Sequence, residues 1–411
     1  FPAGKSATHH YRNRADQTRH DANDYLTALG GKLRNWPLVP TAEPLSAEAS
    51  AELEIKRAMR IGIDGFAVDA WAGQDGARQT LDALFTAAET MQADFQLTIC
   101  LDRSCHKYPD GKATTEAVVA AFADSITWLL SRHGDSPNLA RREGKPLIFG
   151  YSSRITPKLK GPEDEATWPQ VIEAYKEVET RVGQPLYLHF GIEHFFSGCD
   201  MNQWPGSRPP HQPGPWMVKA ASMMATHFDA VGAFTDAKME PELAAMAEAT
   251  QAQGAEWSQP MWHQYQNMMG SLHVEPGTDI LRSRWQMARE SQSSLIQYVT
   301  WNDYGEATNL APDYQTRYAI YDLNGYFIRW WKEGKPPVTD HDRVYLFYRA
   351  YPDGATVFPF RTRRFVSGVL EVVTWLTEPA TIRLPGRPET WEAPAGLHMQ
   401  QLPLKAGVVQ A

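Results

Sequence analysis

Two carboxylates three residues apart, Asp303 and Glu306, follow the apolar run Leu295-Ile-Gln-Tyr-Val-Thr300 within the stretch Trp301-Asn-Asp-Tyr-Gly-Glu306. Ile296, Tyr298 and Thr300 fall on one side of a strand, and Asn302, Asp303 and Gly305 end it. In an extended chain the two acids would stand on opposite faces roughly 10 Å apart, whereas one helical turn brings their β-carbons to about 5–6 Å. A bend at Gly305 gives a spacing in between. That interval spans the carboxyl separations that cut glycosidic bonds, about 5–5.5 Å with retention of the anomeric configuration and about 6.5–9.5 Å with inversion. Acids this close together also cap helix starts, which is the plainer reading of such a pair. Trp301, Asn302 and Tyr304 favour the chemical one, because sugar sites join aromatic faces to amides that bond hydroxyls.

The elements that would position this pair form a repeating rhythm from residue 60 onward. Apolar strands are expected over 64–71, 95–102, 145–152, 186–191, 229–236, 256–263 and 295–303, with helical periodicity over 47–60, 115–131, 168–182, 241–253 and 279–291. Strands apolar on both faces, alternating with helices, indicate a parallel sheet covered by helices, and this many units indicates a (β/α)8 barrel of the TIM type. Seven strands are countable, so the first is expected just before Phe1 or at Phe1-Pro2. Residues 3–20 then become the first strand-to-helix loop, and His9 and His10 come within reach of the substrate.

In this fold the strand ends meet at one face, so the expected site gathers Asp69, Trp71, Asp102, Tyr151, His189, Asp236, Trp262 and His263 with Trp301, Asn302, Asp303, Tyr304 and Glu306. Asp102 and Asp236 have a plainer reading as helix caps or as partners of an arginine such as Arg103, and His189 and His263 as core histidines. No spacing matches a metal site, and neither a metal nor a cofactor is expected. The Pro/Gly-rich stretch Asn202–Pro215 reads as a rim of the cleft.

Length suits two domains: a catalytic barrel over 1–333, a linker over 334–342 opened by Gly334-Lys-Pro-Pro, and a C-terminal β-sandwich over 343–411 with short alternating strands near 344–349, 368–374 and 380–384. Trp330 and Trp331, on the aromatic helix that ends the barrel, are expected to stabilise it against the tail. A formal charge of −8, with no basic run, argues against a nucleic-acid partner. No apolar run reaches the roughly 18 residues of a membrane helix, so membrane insertion is excluded at the sequence level. Of the three cysteines, Cys100 falls in an apolar strand, while Cys105 and Cys199 fall in loops and could bridge. No signal peptide is read at Phe1, as expected of a mature or a trimmed chain.

Gly62-Ile-Asp-Gly-Phe-Ala-Val-Asp69, Val299-Thr-Trp-Asn-Asp-Tyr-Gly-Glu306, the exit Tyr326-Phe-Ile-Arg-Trp-Trp-Lys-Glu-Gly-Lys-Pro-Pro337 and the β-rich tail together resemble glycoside hydrolase family 71, the α-1,3-glucanases or mutanases. The resemblance implies hydrolysis of α-1,3-glucan with inversion by the acids matching Asp303 and Glu306, with Asp69 also important. Family members commonly carry Ser where Ala307 stands, and often Asn where Asp69 stands. The endo-α-mannosidases have a related W-N-E-W motif. The expected protein is a secreted or periplasmic enzyme, monomeric, with a polysaccharide or oligosaccharide as its partner. Two alternatives stay open: a hydrolase of another α-glycan, and a non-catalytic polysaccharide-binding protein on a barrel scaffold.

Overall fold

A computed structural model of the chain describes residues 35, 37–38, 45–69, 74–103, 106, 108, 111–151, 155, 165, 168–192, 215–234, 240–266, 271–273, 277–348, 362–364 and 368–405. The chain divides into two compact units. Val39–Pro260 with Met287–Val299 lie in the first, and Asn23–Leu38 with Met261–Gln286 and Thr300–Ala411 make up the second.

In chain order the elements are α1 (Ala47–Arg60), β1 (Gly65–Asp69), α2 (Gln74–Thr90), β2 (Gln96–Leu101), α3 (Thr115–His133), β3 (Arg141–Arg142), β4 (Lys145–Gly150), α4 (Trp168–Val182), β5 (Tyr187–Gly191), α5 (Pro215–Met224), β6 (Ala230–Gly232), α6 (Glu240–Gln251) and β7 (Glu256–Met261). There follow β8 (Tyr265–Gln266), β9 (Ser271–His273), α7 (Asp279–Glu290), β10 (Leu295–Tyr298), α8 (Ala319–Glu333), β11 (Arg343–Tyr348), β12 (Thr362–Arg364), β13 (Val369–Leu376), β14 (Ala380–Arg383), β15 (Thr390–Ala393) and β16 (Gly396–Pro403). Helix starts follow their caps. The Ser46 hydroxyl accepts the Ala49 N–H at 3.1 Å and the Thr114 hydroxyl accepts that of Ala117 at 3.2 Å, each satisfying a donor the helix cannot use itself.

The first unit is built on one sheet of order β1-β2-β4-β5-β6-β7-β10, with parallel pairing from β1 through β7. All seven strands expected from the sequence are present, and helices alternate with them in a TIM-like α/β arrangement. The inner strands β2, β4 and β5 are largely apolar on both faces because both faces are covered. Every residue of β5 is buried, as is all but the first residue of β2 and of β4. Cys100, Leu147, Phe149, Tyr187 and Ala230 form a shared core against Tyr151 and Leu295. The expected first strand at Phe1-Pro2, the loop over 3–20, Cys105, Cys199 and residues 202–214 lie outside the described residues.

Polar groups tie the strands together at their N-terminal ends. Glu256 accepts hydrogen bonds from Arg142, Tyr187 and Ser294, and Asp229 pairs with Lys145 at 2.7 Å while accepting the Leu188 N–H at 2.9 Å. In folds of the TIM type that end serves stability, and the opposite, C-terminal end of the strands is where chemistry is placed.

The second unit carries small sheets instead: antiparallel β11-β13-β16, antiparallel β14-β15, and β12-β9-β8. Leu370, Val372 and Leu384 are buried against Leu346, Trp391 and Leu402. Helix α8 ends at Gly334, whose φ of 71° is left-handed and whose N–H closes on the Trp330 carbonyl at 2.9 Å, the stop expected there. On α8 the Tyr326 ring meets Trp375 of β13 edge-on at 5.2 Å, and Trp330 packs beside Tyr326 at 5.8 Å. The guanidinium of Arg343 sits 4.6 Å over Trp375, and Tyr345 donates to Asp322 at 2.8 Å.

A buried carboxylate joins α7 to the tail. Glu371 on β13 is fully buried and accepts from the Thr278 N–H at 2.7 Å, the Thr278 hydroxyl at 2.8 Å and the Gln401 amide at 3.2 Å, with Arg282 at 3.3 Å. Negative charge at the start of a helix is favourable, and here it is supplied by a strand distant in sequence. The preceding Gly277, at φ 53°, gives the room: a β-carbon there would stand 2.2 Å from Glu371 Oε2.

Candidate active site

Beyond β10 the chain folds a short loop that returns on itself. The Thr300 N–H bonds the Thr308 carbonyl at 3.2 Å, and the Leu310 N–H returns to the Thr300 carbonyl at 2.9 Å. Ala311 also bonds back to the Trp301 carbonyl at 2.9 Å, so the loop is closed at its neck. Inside it the Thr300 hydroxyl accepts the Asp303 N–H at 2.8 Å, and Asp303 Oδ1 accepts the Glu306 N–H at 2.9 Å. The carboxylate therefore closes an Asx-type turn of its own, as short acidic side chains do. The turn spans residues 304–307, and its left-handed residue is Ala307 at φ 53°, an uncommon conformation for a residue with a β-carbon.

Within this loop Trp301, Asp303 and Glu306 are half-buried, Asn302 is exposed and Tyr304 is buried. The neck rests on a polar cluster that the sequence did not reveal. Asn309, buried, donates to Asp313 Oδ2 at 2.9 Å and to the Ala311 carbonyl at 3.0 Å, and receives the Asn35 amide at 3.2 Å. The Asn35 N–H bonds the Tyr304 carbonyl at 3.0 Å. Burial pushes the Asp313 carboxyl up, against the hydrogen bonds from Thr316 and Asn309 that favour its charge.

A second segment of the same unit reaches Glu306. The Tyr265 hydroxyl, on β8, lies 3.4 Å from Glu306 Oε1. Just before it, Trp262 is buried with the buried Arg284 guanidinium 5.7 Å over its ring, and His263 is buried as well.

In the first unit Asp69 ends β1, in register with Cys100 of β2, and buried Asp102 follows the end of β2. Tyr151 follows β4 and packs against Phe234 with ring centroids 4.1 Å apart. His189, at the centre of β5, is buried against the Phe149 ring at 4.6 Å, and burial pushes its imidazole down to about 3. It is therefore neutral at ordinary pH. Gly232 lies close beneath it, where a β-carbon would stand 2.6 Å from His189 Nε2. His9, His10, Trp71 and Asp236 lie outside the described residues. Among the described residues no group of three or more His, Cys, Asp or Glu side chains is arranged to hold a metal ion, and no helix is long and apolar enough to cross a membrane.

Comparison with solved structures supports the TIM-like α/β fold. The GH99 endo-α-mannosidase from Bacteroides thetaiotaomicron matches 75% of this chain and 86% of its own with a TM-score of 0.54, at 14% sequence identity, a likeness of fold alone. The resemblance to glycoside hydrolase family 71 holds as well: residues 257–411, which carry Tyr265, Asp303 and Glu306, match that family's sequence model. The chain is 24% identical over 289 residues to the glucan endo-1,3-alpha-glucosidase agn1 of Schizosaccharomyces pombe, covering 62% of this chain and 52% of that protein. It is 27% identical over 147 residues to the mutanase Pc12g07500 of Penicillium rubens, covering 30% of this chain and 33% of that one. The chain thus spans about half the length, or less, of the curated relatives it matches.

Proposed function

We propose that this chain is a glycoside hydrolase that cleaves α-1,3-glucosidic linkages of an α-glucan by an inverting acid/base mechanism. The observation that carries the reading is the closed loop after β10, in which the Asp303 carboxylate accepts the Glu306 backbone N–H at 2.9 Å. That bond, with the covalent reach of the Glu306 side chain, keeps the two carboxyl carbons within roughly 9 Å of each other. Such a range accommodates a water between carboxylate and sugar, as inversion requires. Glu306 donates its proton to the leaving glycosidic oxygen while Asp303 takes a proton from the water that attacks the anomeric carbon from the opposite side. Half-exposed Trp301 and exposed Asn302 offer a ring face and an amide to the sugar.

The names of the two curated relatives, a glucan endo-1,3-alpha-glucosidase and a mutanase, support the choice of linkage. Asp69 enters as a third acid, on its place at a strand end and on the family resemblance. The same proposal includes an eighth strand completing the barrel over 1–333, a linker over 334–342 and a β-sandwich over 343–411. It also includes action outside the cytoplasm, where a polymer too large for uptake is met, and action as a monomer.

An NMR time course on α-1,3-gluco-oligosaccharides, with α-mannan oligosaccharides in parallel, tests this reading. The β-anomer of the glucan product appears first and the mannan is left intact. Initial release of the α-anomer would contradict inversion, turnover of the mannan alone would favour the endo-α-mannosidase alternative, and binding without turnover a non-catalytic protein.

A further inference from the structure

We infer that Tyr265 is a positioning residue for Glu306, holding one carboxyl oxygen of the acid so that the other carries the transferable proton. The inference deepens the proposed reaction and rests on Glu306 being its proton donor. Its basis is the approach of the Tyr265 hydroxyl to Glu306 Oε1 at 3.4 Å, between two half-buried side chains. That is long for a phenol–carboxyl hydrogen bond, and catalytic contacts of this kind tighten when substrate fills the site.

Tyr265 comes from an element fixed independently of the acid's loop. Its backbone is in antiparallel register with His273 of β9, and β9 in turn pairs with β12. The acid's own backbone is held by Asp303. Two separate supports therefore converge on one carboxyl group, one at its main chain and one at its oxygen. Groups held in this way keep their geometry through the reaction.

The chemistry follows from donor and acceptor roles. A phenol hydroxyl that donates to Oε1 leaves Oε2 as the oxygen that bears the acid proton. When that proton passes to the glycosidic oxygen and the bond to the anomeric carbon breaks, the negative charge left on Glu306 is shared onto Oε1. There the phenol stabilises it by a charge-assisted hydrogen bond. Tyr265 keeps its own proton throughout.

Tyr265→Phe tests this, with two substrates that differ only in leaving group: an α-1,3-gluco-oligosaccharide and the corresponding α-glucosyl fluoride, whose departure needs little proton donation. On the oligosaccharide kcat/KM falls about ten- to a hundredfold, the loss expected for one hydrogen bond to a charged group. On the fluoride it changes less than about twofold, because general-acid help is no longer required. The alkaline limb of the oligosaccharide pH profile moves upward, since removing a donor to the carboxylate raises its pKa. Asp303, the titratable neighbour in the same loop, is unchanged in the comparison. Equal losses on both substrates, or a limb that stays in place, would overturn the inference. Glu306→Gln, measured beside it, separates the two levels: if it hydrolyses the oligosaccharide at the wild-type rate, the assignment of the acid itself fails. If it loses the oligosaccharide and keeps the fluoride, the acid stands and only the role of Tyr265 is at issue.

Discussion

The Asp303 carboxylate accepts the backbone N–H of Glu306 at 2.9 Å, so one acid of the pair shapes the main chain from which the other projects. Two substitutions separate its two roles. Asn at position 303 keeps an oxygen that can accept the N–H but cannot act as a base, so turnover falls by about 10²–10⁴ while thermal stability is nearly unchanged. Ala loses the acceptor as well, which lowers stability by about 1 kcal/mol in addition. Paired rate and melting measurements on the two variants check this; equal melting temperatures for Asn and Ala would mean that the turn does not depend on the carboxylate.

Gly277 and Gly334 are both left-handed glycines, at φ 53° and 71°, but only the first faces a buried charge. Ala at 334 meets nothing within 4 Å and costs about 1 kcal/mol of backbone strain. Ala at 277 displaces Glu371 from Thr278, and costs about 3 kcal/mol or more by breaking buried hydrogen bonds to a charged group. Urea unfolding of the two variants measures the difference directly.

His189 makes stability depend on pH. Its imidazole stays neutral in the folded chain down to about pH 3, whereas its ordinary value is 6.5. Between those values the unfolded chain binds the extra proton, so stability falls as pH falls, by roughly 1.4 kcal/mol per pH unit for this group. Burial foremost pushes His106, His133 and His227 in the same direction. Replacing His189 with Gln therefore flattens the acid-side slope without abolishing it, as read from denaturation midpoints between pH 4 and about pH 7.

The parallel strands of the main sheet were legible because strands buried on both faces are written as nearly continuous apolar runs, as at 145–150 and 187–191. The end of its last strand and the bend over 304–307 were legible because Asn302, Asp303 and Gly305 disfavour a continuing ladder. Tyr265 was not, since β8 has two residues and no periodicity to mark it. Glu371 was hidden for a different reason: an acid in an alternating strand reads as a solvent-facing position, and only the partner Thr278, 93 residues away, makes its burial tolerable. The same holds for Asn35 and Asn309, 274 residues apart, whose hydrogen bond no local pattern announces. At Gly305 the sequence pointed to the bend, while the left-handed residue of that turn is Ala307, held there by the loop's closed neck.

Reducing-sugar release from insoluble α-1,3-glucan by the wild-type chain and by Glu306→Gln tests the central claim most directly. The wild type releases sugar steadily, and the variant binds the same polymer with similar affinity but turns it over at least about 10²-fold more slowly, the loss expected when a general acid is removed. Hydrolysis by Glu306→Gln at close to the wild-type rate would contradict the account.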